Sequence, residues 1–287
     1  MEKNKSIEKL LLNKKVSIVA HDSGGAQMLS SFTKIYKGKY FYTATGPALK
    51  IFKNQIFNFK NYPVIENINN SDFVITGTGL GSNLEFEAIK YCKKIKKKVY
   101  SYLDHWVNYK KRFIRKKKLI LPDQIWVGDI DAKNIAIKEF KNISIILIPN
   151  PYWIESVNIY KKIKNKKKIK NILFVSSNID RLKNKRINDL FIFKKFFNYI
   201  KNKDFNKIII RKHPSEINNG FRSKIFYGKN IKFDISQNLT HSFKSCGEIY
   251  GHNSMALVIG KLCGLNTYHI DANNRLTIPK KFIDQVI

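Results

Sequence analysis

The sequence predicts an α/β protein with two mainly parallel β-sheets, one in each half of its 287 residues. Short β-branched runs alternate with helical patterns in both halves, which is typical of βαβ units. A Pro149-Asn150-Pro151 break and a Lys- and Asn-rich stretch separate the two series. We therefore expect an amino-terminal domain over 1–152, a linker over 153–170 and a carboxyl-terminal domain over 171–287.

The first half contains several runs rich in β-branched or aromatic residues, which predict strands. These runs span residues 16–20, 40–44, 73–76, 99–103, 124–127 and 143–148. Apolar residues at helical spacing predict helices over 26–36, 84–95 and 132–140. Ser82 and Glu85 have the spacing of a capping box at the start of the second helix. We expect Glu85 to act mainly as the capping partner, with a role as a base as the alternative.

The second half repeats the alternation. Its predicted strands span residues 172–175, 207–210, 231–234, 248–250 and 266–270. Its predicted helices span residues 187–200, 239–244 and 255–262. The two halves together predict two Rossmann-like domains that face a cleft.

Composition excludes several classes of protein. A hydrophobic content of 43% is normal for a globular chain, and no apolar run approaches the roughly 20 residues that span a membrane. We expect no signal peptide. The three cysteines lack CxxC spacing and the six histidines lack HxH or HxxxH spacing, so we expect neither disulfides nor a metal site. A cytoplasmic protein is the expectation.

The formal net charge of +33 first suggests a nucleic-acid partner. Nearly all of this charge is lysine, with only seven arginines, whereas nucleic-acid recognition favours the arginine fork. We expect most lysines to lie on solvated faces. Attraction to an anionic membrane or to a polyanionic substrate is the second interpretation, and nucleic acid is the third.

The first predicted strand ends in His21-Asp22-Ser23-Gly24-Gly25. Gly24 and Gly25 permit a tight turn and a close ligand approach before the next helix. Asp22 is a candidate general base for an acceptor hydroxyl, and His21 adds a second polar group beside it. The alternative is that Asp22 only caps the helix.

Two further polar segments follow strands of the first half. Thr78 and Gly79 belong to a glycine-rich turn that can cradle an anion or admit an acceptor sugar. The second segment combines Asp104, His105, Trp106, Asn108 and Tyr109. Trp and Tyr stack on sugar faces and the polar groups bind hydroxyls, so we expect a binding loop. The alternative is a loop at the edge of the core, in which Trp106 packs and Asp104 caps.

Polar segments also follow three strands of the second half. They are Ser176, Arg211-Lys212-His213-Pro214 and Gly251-His252-Asn253-Ser254. Backbone N–H groups and the dipole at the start of the helix over 255–262 favour a bound phosphate. Arg211 can reach an anionic ligand, and His213 can donate a proton to a departing phosphate oxygen. The alternative for His213 is a surface residue in a turn.

These segments carry a resemblance to a known family. The run Ile208 to Pro214 is similar to the strand-plus-His-Pro motif of bacterial sialyltransferases and Kdo transferases, which are GT-B-type glycosyltransferases. The run Gly251 to Ala256, followed by Gly264, is similar to the segment in which a Ser-capped helix holds the donor phosphate or carboxylate. The resemblance covers roughly residues 170–270. The sialyltransferase acidic-acidic-Gly motif is matched only loosely, at Asp22-Ser23-Gly24.

The resemblance implies a metal-independent, GT-B-like glycosyltransferase that needs no cofactor. It would move a sugar from a CMP- or CDP/UDP-type nucleotide donor to a glycan or lipid-linked acceptor in surface polysaccharide biosynthesis. Asp22 and His213 would be catalytic. The predicted substrate-binding set is His21, Gly24, Gly25, Thr78, Gly79, Asp104, His105, Trp106, Asn108, Tyr109, Ser176, Arg211, Pro214, Gly251, His252, Asn253 and Ser254. The basic faces would suit peripheral contact with an anionic membrane.

Three alternatives remain open at the level of sequence. A sugar-nucleotide epimerase or hydrolase on the same fold would use the same donor site without an acceptor. A basic nucleic-acid-binding protein would use the lysines instead. A catalytically silent domain would bind nucleotide sugars without turning them over.

Overall fold

The computed structural model of the chain describes residues 5–164, 169–177, 188–213, 230–236, 238–272 and 274–287. The chain divides into two compact units, unit 1 (Met1–Ile154) and unit 2 (Glu155–Ile287). Within the described ranges, each unit has one six-stranded parallel sheet. In this part of the chain, no helix combines the length and the apolar character needed to cross a bilayer.

Unit 1 alternates strands and helices along the chain. Its strands are β1 (Lys15–Ala20), β2 (Lys39–Ala44), β3 (Phe73–Thr76), β4 (Val99–Leu103), β5 (Ile114–Arg115), β6 (Lys118–Leu119), β7 (Gln124–Val127) and β8 (Ser144–Leu147). Its helices are α1 (Lys5–Leu11), α2 (Ser23–Ile35), α3 (Gly46–Gln55), α4 (Val64–Asn69), α5 (Leu84–Lys94), α6 (Tyr109–Arg112) and α7 (Ile130–Glu139). Helix α8 (Pro151–Ile163) continues from unit 1 into unit 2.

The unit 1 sheet has the strand order β2-β1-β3-β4-β7-β8, and β5 and β6 form a separate antiparallel hairpin. Strands β3 and β4 are buried along their whole length, as expected of parallel strands with both faces covered. The core includes the fully buried rings of Phe32, Phe52 and Trp126. The direction of the strand order reverses between β1 and β3, so a crevice for ligands is expected at their carboxyl ends.

Unit 2 contains strands β9 (Ile172–Val175), β10 (Ile208–Arg211), β11 (Ile231–Phe233), β12 (Glu248–Gly251), β13 (Asn266–His269) and β14 (Gln285–Val286). Its helices are α9 (Asp189–Ile200), α10 (Leu239–Phe243) and α11 (Met255–Leu262). The strand order β11-β10-β9-β12-β13-β14 reverses between β9 and β12. The aromatic rings of Phe174, Phe196 and Tyr250 pack in its core.

The predicted α/β fold with two mainly parallel sheets is confirmed. The eleven predicted strands have the correct bounds to within one or two residues. Short runs of β-branched residues pack well in a buried strand, so their position in the sequence indicates the strand. The short strands β5, β6 and β14 and the helices α1, α3, α4 and α6 were not predicted. Pro47 lies in the first turn of α3, where a missing N–H costs nothing, so the Gly46-Pro47 pair begins this helix.

The segment expected to be a linker over 153–170 contains most of α8. Pro151 was expected to disrupt regular structure, and it instead occupies the first position of this helix. Asn150 Oδ1 accepts hydrogen bonds from the N–H groups of Tyr152 (3.0 Å) and Trp153 (3.3 Å). The Pro149-Asn150-Pro151 sequence is therefore a helix start with a side-chain cap.

Candidate functional site

The carboxyl ends of β1, β3 and β4 bring polar side chains together in unit 1. β3 pairs with β1 on one side and with β4 on the other. The loops that follow these strands, and the start of α5, therefore share one corner of the sheet. We call their polar residues the switch-point cluster: His21, Asp22, Glu85, Asp104 and Arg112.

Glu85 is the most unusual ionisable group of this cluster. Its side chain is buried, and Oε1 accepts a hydrogen bond from the backbone N–H of His21 at 2.7 Å. Oε2 is also buried and has no hydrogen-bond partner among the described residues. Burial, reinforced by the charge of Asp22, raises the pKa of Glu85 to about 7. A carboxyl group with this pKa can take up or release a proton at neutral pH.

The capping-box prediction for Glu85 is wrong. The N–H of Leu84 donates to Ser82 Oγ at 2.9 Å, while the Glu85 side chain turns inward toward β1. The sequence contained one signal for a role of Glu85 in the site, namely its position shortly after the glycine-rich segment that follows β3. The capping-box spacing explained the same position, and the sequence did not distinguish the two interpretations.

Asp22 also points toward the loop after β3. Although it occupies the N-cap position of α2, its side chain makes no capping hydrogen bond. Asp22 Oδ2 instead accepts from the N–H of Leu80 at 3.0 Å. A Cβ atom at Gly79 would lie 2.8 Å from Asp22 Oδ2 and 3.1 Å from Glu85 Oε1. The two carboxyl groups therefore converge on one point beside Gly79.

His21 is held by the start of α3. Its Nδ1 lies 2.8 Å from Thr45 Oγ1, and its Nε2 lies 3.9 Å from Asp22 Oδ1. Gly46 has a φ of +53° and packs so closely on the imidazole that a Cβ would lie 2.5 Å from His21 Cε1. The missed helix α3 thus fixes the orientation of a predicted site residue.

Asp104 is positioned by Arg112 and Thr78. Arg112 Nη1 donates to Asp104 Oδ1 at 2.7 Å, to Thr78 Oγ1 at 3.0 Å and to the Thr78 carbonyl at 2.9 Å. Thr78 is buried, and its hydroxyl donates to the carbonyl of Tyr102. Thr78 therefore supports the loop from within, and Arg112 was absent from the predicted site.

The glycines of these loops allow close packing between loops. A Cβ at Gly24 would lie 2.0 Å from Asp104 Oδ2, and a Cβ at Gly25 would lie 3.3 Å from the Gly77 Cα. The space beside Gly24 is thus filled by Asp104, not left open for a ligand as expected. The glycines bring the ends of β1, β3 and β4 close enough to form the cluster.

Two of the aromatic residues expected to stack on a sugar lie in the interior. Trp106 is buried, its indole N–H donates to Asp129 Oδ2 at 3.0 Å, and its ring centroid lies 5.9 Å from that of Trp153. Tyr109 is buried and stacks on Phe140. The packing alternative therefore describes Trp106 correctly, and Tyr109 also packs in the interior.

The other two polar residues of this loop differ in exposure. His105 Nδ1 accepts the backbone N–H of Trp106 at 3.0 Å, and burial lowers the pKa of His105 to about 4. His105 is thus a neutral imidazole at neutral pH. Asn108 is exposed and adopts a left-handed conformation, with a φ of +61°, at the start of α6.

In unit 2, polar loops meet at the reversal between β9 and β12. Ser177 Oγ donates to the His252 carbonyl at 2.6 Å, and the His213 N–H donates to Ser176 Oγ at 3.4 Å. A Cβ at Gly251 would lie 2.5 Å from Val175 Cγ2. Ser176, His213, Gly251 and His252 are therefore brought together as expected, while Pro214 lies outside the described residues.

Arg211, which was predicted to reach an anionic ligand, forms an internal ion pair. Its Nη1 donates to Asp234 Oδ2 at 2.5 Å and to Ser242 Oγ at 2.8 Å. Burial opposes ionisation of Asp234, but hydrogen bonds from Ser242, the Ser236 N–H and Arg211 lower its pKa. The pair joins β10 to the loop after β11.

The loop after β12 is held by side chains that the sequence assigned to a ligand. Asn253 Oδ1 accepts from the N–H of Thr277, and its Nδ2 donates to the carbonyl of Arg275, both at 2.8 Å. His252 is buried, and burial lowers its pKa. Ser254 Oγ accepts from the N–H of Ala256 at 3.3 Å and caps α11, as predicted. These contacts fix the start of α11 at the carboxyl edge of the sheet.

Buried His269 was not predicted. Its Nδ1 accepts the N–H of Asn253 at 3.3 Å, and its ring stacks on that of His252 with centroids 5.1 Å apart. Burial and the nearby His252 lower the pKa of His269 to about 4. Within the described ranges, no group of three or more His, Cys, Asp or Glu side chains is arranged to hold a metal ion.

No family model and no curated protein matches this sequence. Solved structures do match the fold. The UDP-GlcNAc 2-epimerase of Methanocaldococcus jannaschii, in complex with UDP-GlcNAc and UDP, is 14% identical, covers 95% of this chain and 88% of its own, and has a TM-score of 0.68. The UDP-GlcNAc 2-epimerase of Neisseria meningitidis, bound to UDP-GlcNAc, is 13% identical, with coverage of 93% and 85% and a TM-score of 0.64.

A glycosyltransferase has a similar fold. SnogD from Streptomyces nogalater is 8% identical, covers 90% of this chain and 81% of its own, and has a TM-score of 0.54. At these identities the likeness concerns the fold alone. Together with the two parallel six-stranded sheets, it shows that this chain has a GT-B-like fold built from two Rossmann-like units.

Proposed function

We propose that this chain is an enzyme that processes nucleotide sugars through carboxyl acid–base chemistry in unit 1. The observation that supports this most directly is buried Glu85, whose pKa is about 7, beside the carboxylate of Asp22. A carboxyl group of raised pKa next to a second carboxyl group is a recurrent arrangement of acid and base in enzymes. Its location at the reversal of the strand order is also where ligands bind in such sheets.

We further propose that unit 2 binds the nucleotide. The loops after β9 and β12 meet at the reversal of its sheet, and Ser254 starts an eight-residue helix there. The helix dipole and free N–H groups would stabilise a diphosphate, with His213 as a donor to the departing phosphate oxygen. Structures of similar fold bind UDP-GlcNAc and UDP, which supports a ligand of this class.

The first candidate reaction is glycosyl transfer. Asp22 would accept the proton of an acceptor hydroxyl as its oxygen forms a bond to the anomeric carbon. The bond from that carbon to the phosphate oxygen would break, and the nucleotide would leave with the electron pair. Protonated Glu85 would donate a hydrogen bond to the sugar or acceptor. The acceptor class that we propose is a glycan or a lipid-linked sugar.

The second candidate is epimerisation or hydrolysis of the nucleotide sugar without an acceptor. Two observations favour retaining it. The raised pKa of Glu85, beside a second carboxyl group on Asp22, suits a reaction that removes and returns a proton. The two similar structures described above that are bound to UDP-GlcNAc are also UDP-GlcNAc 2-epimerases.

A thermal-shift series with CMP, CDP, UDP and GDP tests the nucleotide proposal. A ligand that binds only the folded state raises the melting temperature by mass action. We expect one nucleotide to raise it, and we expect His213→Ala to reduce that rise. No response to any of the four nucleotides would overturn nucleotide binding by unit 2.

Turnover then separates the two reactions. The responding nucleotide is supplied as its sugar conjugates, with and without glycan acceptors, and products are followed by mass spectrometry. Complete conversion without an acceptor would exclude the transferase candidate. Glu85→Gln and Asp22→Asn should each lower the rate by about 100-fold or more. Glu87→Gln is the matched control, because Glu87 lies in the same helix but is exposed and pairs with Lys90.

A further inference from the structure

The amino-terminal edge of the unit 1 sheet, opposite the switch-point cluster, is strongly basic. Because the strands are parallel, all of them begin at this edge and the connecting helices end there. Exposed lysines lie at the starts of β1 and β2 and within three residues before β1, β2, β4 and β8. We call them the basic edge: Lys14, Lys15, Lys37, Lys39, Lys96, Lys98 and Lys141.

Acidic groups neutralise only part of this charge. Asp72 and Asp123 directly precede β3 and β7. Asp72 Oδ1 lies 3.9 Å from Lys14 Nζ, and Asp123 Oδ1 lies 2.7 Å from Lys93 Nζ. Glu139, at the end of α7, adds one further carboxylate. The lysines therefore outnumber the carboxylates, and the edge carries a net positive charge.

Exposed apolar side chains lie among these lysines. Phe57 is 92% exposed just after α3, and Leu12 is 67% exposed between α1 and β1. Ile95, between α5 and β4, is 38% exposed. Single exposed apolar residues are ordinary, but three beside lysines at one edge form a mixed basic and apolar surface.

We propose that the basic edge docks on an anionic lipid surface, with Phe57 and Leu12 entering the interface. Lysines near a negatively charged leaflet attract it electrostatically, and aromatic rings prefer the headgroup level. The segments that form this edge contain no arginine, which is the residue that nucleic-acid recognition favours. The charge complementarity therefore fits lipid better than nucleic acid. This proposal does not depend on the reaction that the enzyme catalyses.

Vesicle co-sedimentation tests the proposal on the full chain. The probes are phosphatidylcholine vesicles, with and without about 30% phosphatidylglycerol, at low and at physiological salt. We expect binding only to the anionic vesicles. Lys37→Gln, Lys39→Gln and Lys98→Gln together should weaken it on the order of 100-fold, since each lysine near such a surface contributes about a five-fold factor. Phe57→Ser should weaken the part of the binding that persists at physiological salt.

The matched control removes three lysines elsewhere. Lys116→Gln, Lys117→Gln and Lys118→Gln lie in the exposed β5–β6 hairpin, which follows the carboxyl end of β4. This variant has the same net charge as the edge variant and should retain vesicle binding. Equal loss in both variants would overturn a local docking surface, as would the absence of wild-type binding. Preferential binding of duplex or single-stranded DNA through the same lysines would also overturn it.

Discussion

At the scale of single residues, burial and neighbouring groups determine how the ionisable side chains of this protein behave. Glu85 and Asp22 are both carboxyl groups near strand ends, yet only Glu85 is deeply buried. Arg211 is a cation at a strand end, yet it is neutralised by Asp234. Residue type and position therefore identified the right region of the chain, while burial and pairing determined which groups can react.

The raised pKa of Glu85 predicts a pH-dependent stability. A carboxyl group with a folded pKa of about 7, against 4.5 in the unfolded chain, favours folding at low pH. That contribution is lost as pH rises from about 4.5 through about 7, because the folded state resists ionisation. We expect the Glu85 contribution to fall by roughly 2 kcal/mol between about pH 5 and about pH 8.

Urea unfolding of wild type and Glu85→Gln at both pH values measures this contribution. Between the two pH values, the free energy of unfolding of Glu85→Gln should fall by roughly 2 kcal/mol less than that of the wild type. Glu87→Gln, in the same helix, should follow the wild type. Parallel curves for wild type and Glu85→Gln would show that Glu85 titrates normally.

At the scale of elements, the loops of the switch-point cluster pack closely on one another at glycines. Gly24 lies so close to Asp104 that an alanine Cβ would be 2.0 Å from the carboxylate. Gly24→Ala should therefore displace Asp104 from Arg112 and lower the free energy of unfolding by about 1–3 kcal/mol. Urea denaturation of the variant measures this loss.

The double variant with Asp104→Ser is the control for Gly24→Ala. Once the obstructing carboxylate is removed, Gly24→Ala should cost much less than in the wild-type background, because the two effects are coupled. An equal cost in both backgrounds would locate the strain elsewhere in the loop.

Helix α8 provides a second test at this scale. Asn150 accepts two backbone N–H groups at its start, so Asn150→Ala should cost about 1 kcal/mol of stability. Asn158→Ala changes an exposed residue of the same helix and should have little effect. Melting temperatures of the two variants provide the comparison, and equal values would contradict the capping role.

At the scale of the whole molecule, the net charge of +33 should affect stability through self-repulsion. Salt screens this repulsion, with a Debye length of about 10 Å at 0.1 M. We expect the melting temperature to rise between low and moderate sodium chloride concentrations. Sucrose at equal osmolality is the control for non-electrostatic effects. A melting temperature that falls with salt would show that favourable ion pairs outweigh the repulsion.

Much of the architecture could be predicted from the sequence. Eleven of the twelve strands in the two parallel sheets, and the polar segments that follow them, were predicted from local patterns of apolar and turn residues. Strand β14 and the helix that begins at Pro151 were not predicted. Helices α3 and α4 were missed because α3 begins with Gly-Pro and α4 is short. Trp106 and Tyr109 were interpreted as sugar-binding residues. The sequence alone does not show that Trp106 donates a hydrogen bond to Asp129 or that Tyr109 stacks on Phe140.

The sequence by itself thus determined the alternation of strands and helices, the two sheets and the segments at their carboxyl ends. Only the tertiary structure decided which polar groups in these segments are buried, which are paired and which can contact a ligand. Glu85 accepts a hydrogen bond from the N–H of His21, 64 positions away, and Arg211 donates one to Asp234, 23 positions away. Such contacts depend on strand order and on the close approach of loops, and these are set by packing of the whole sheet and not by local sequence.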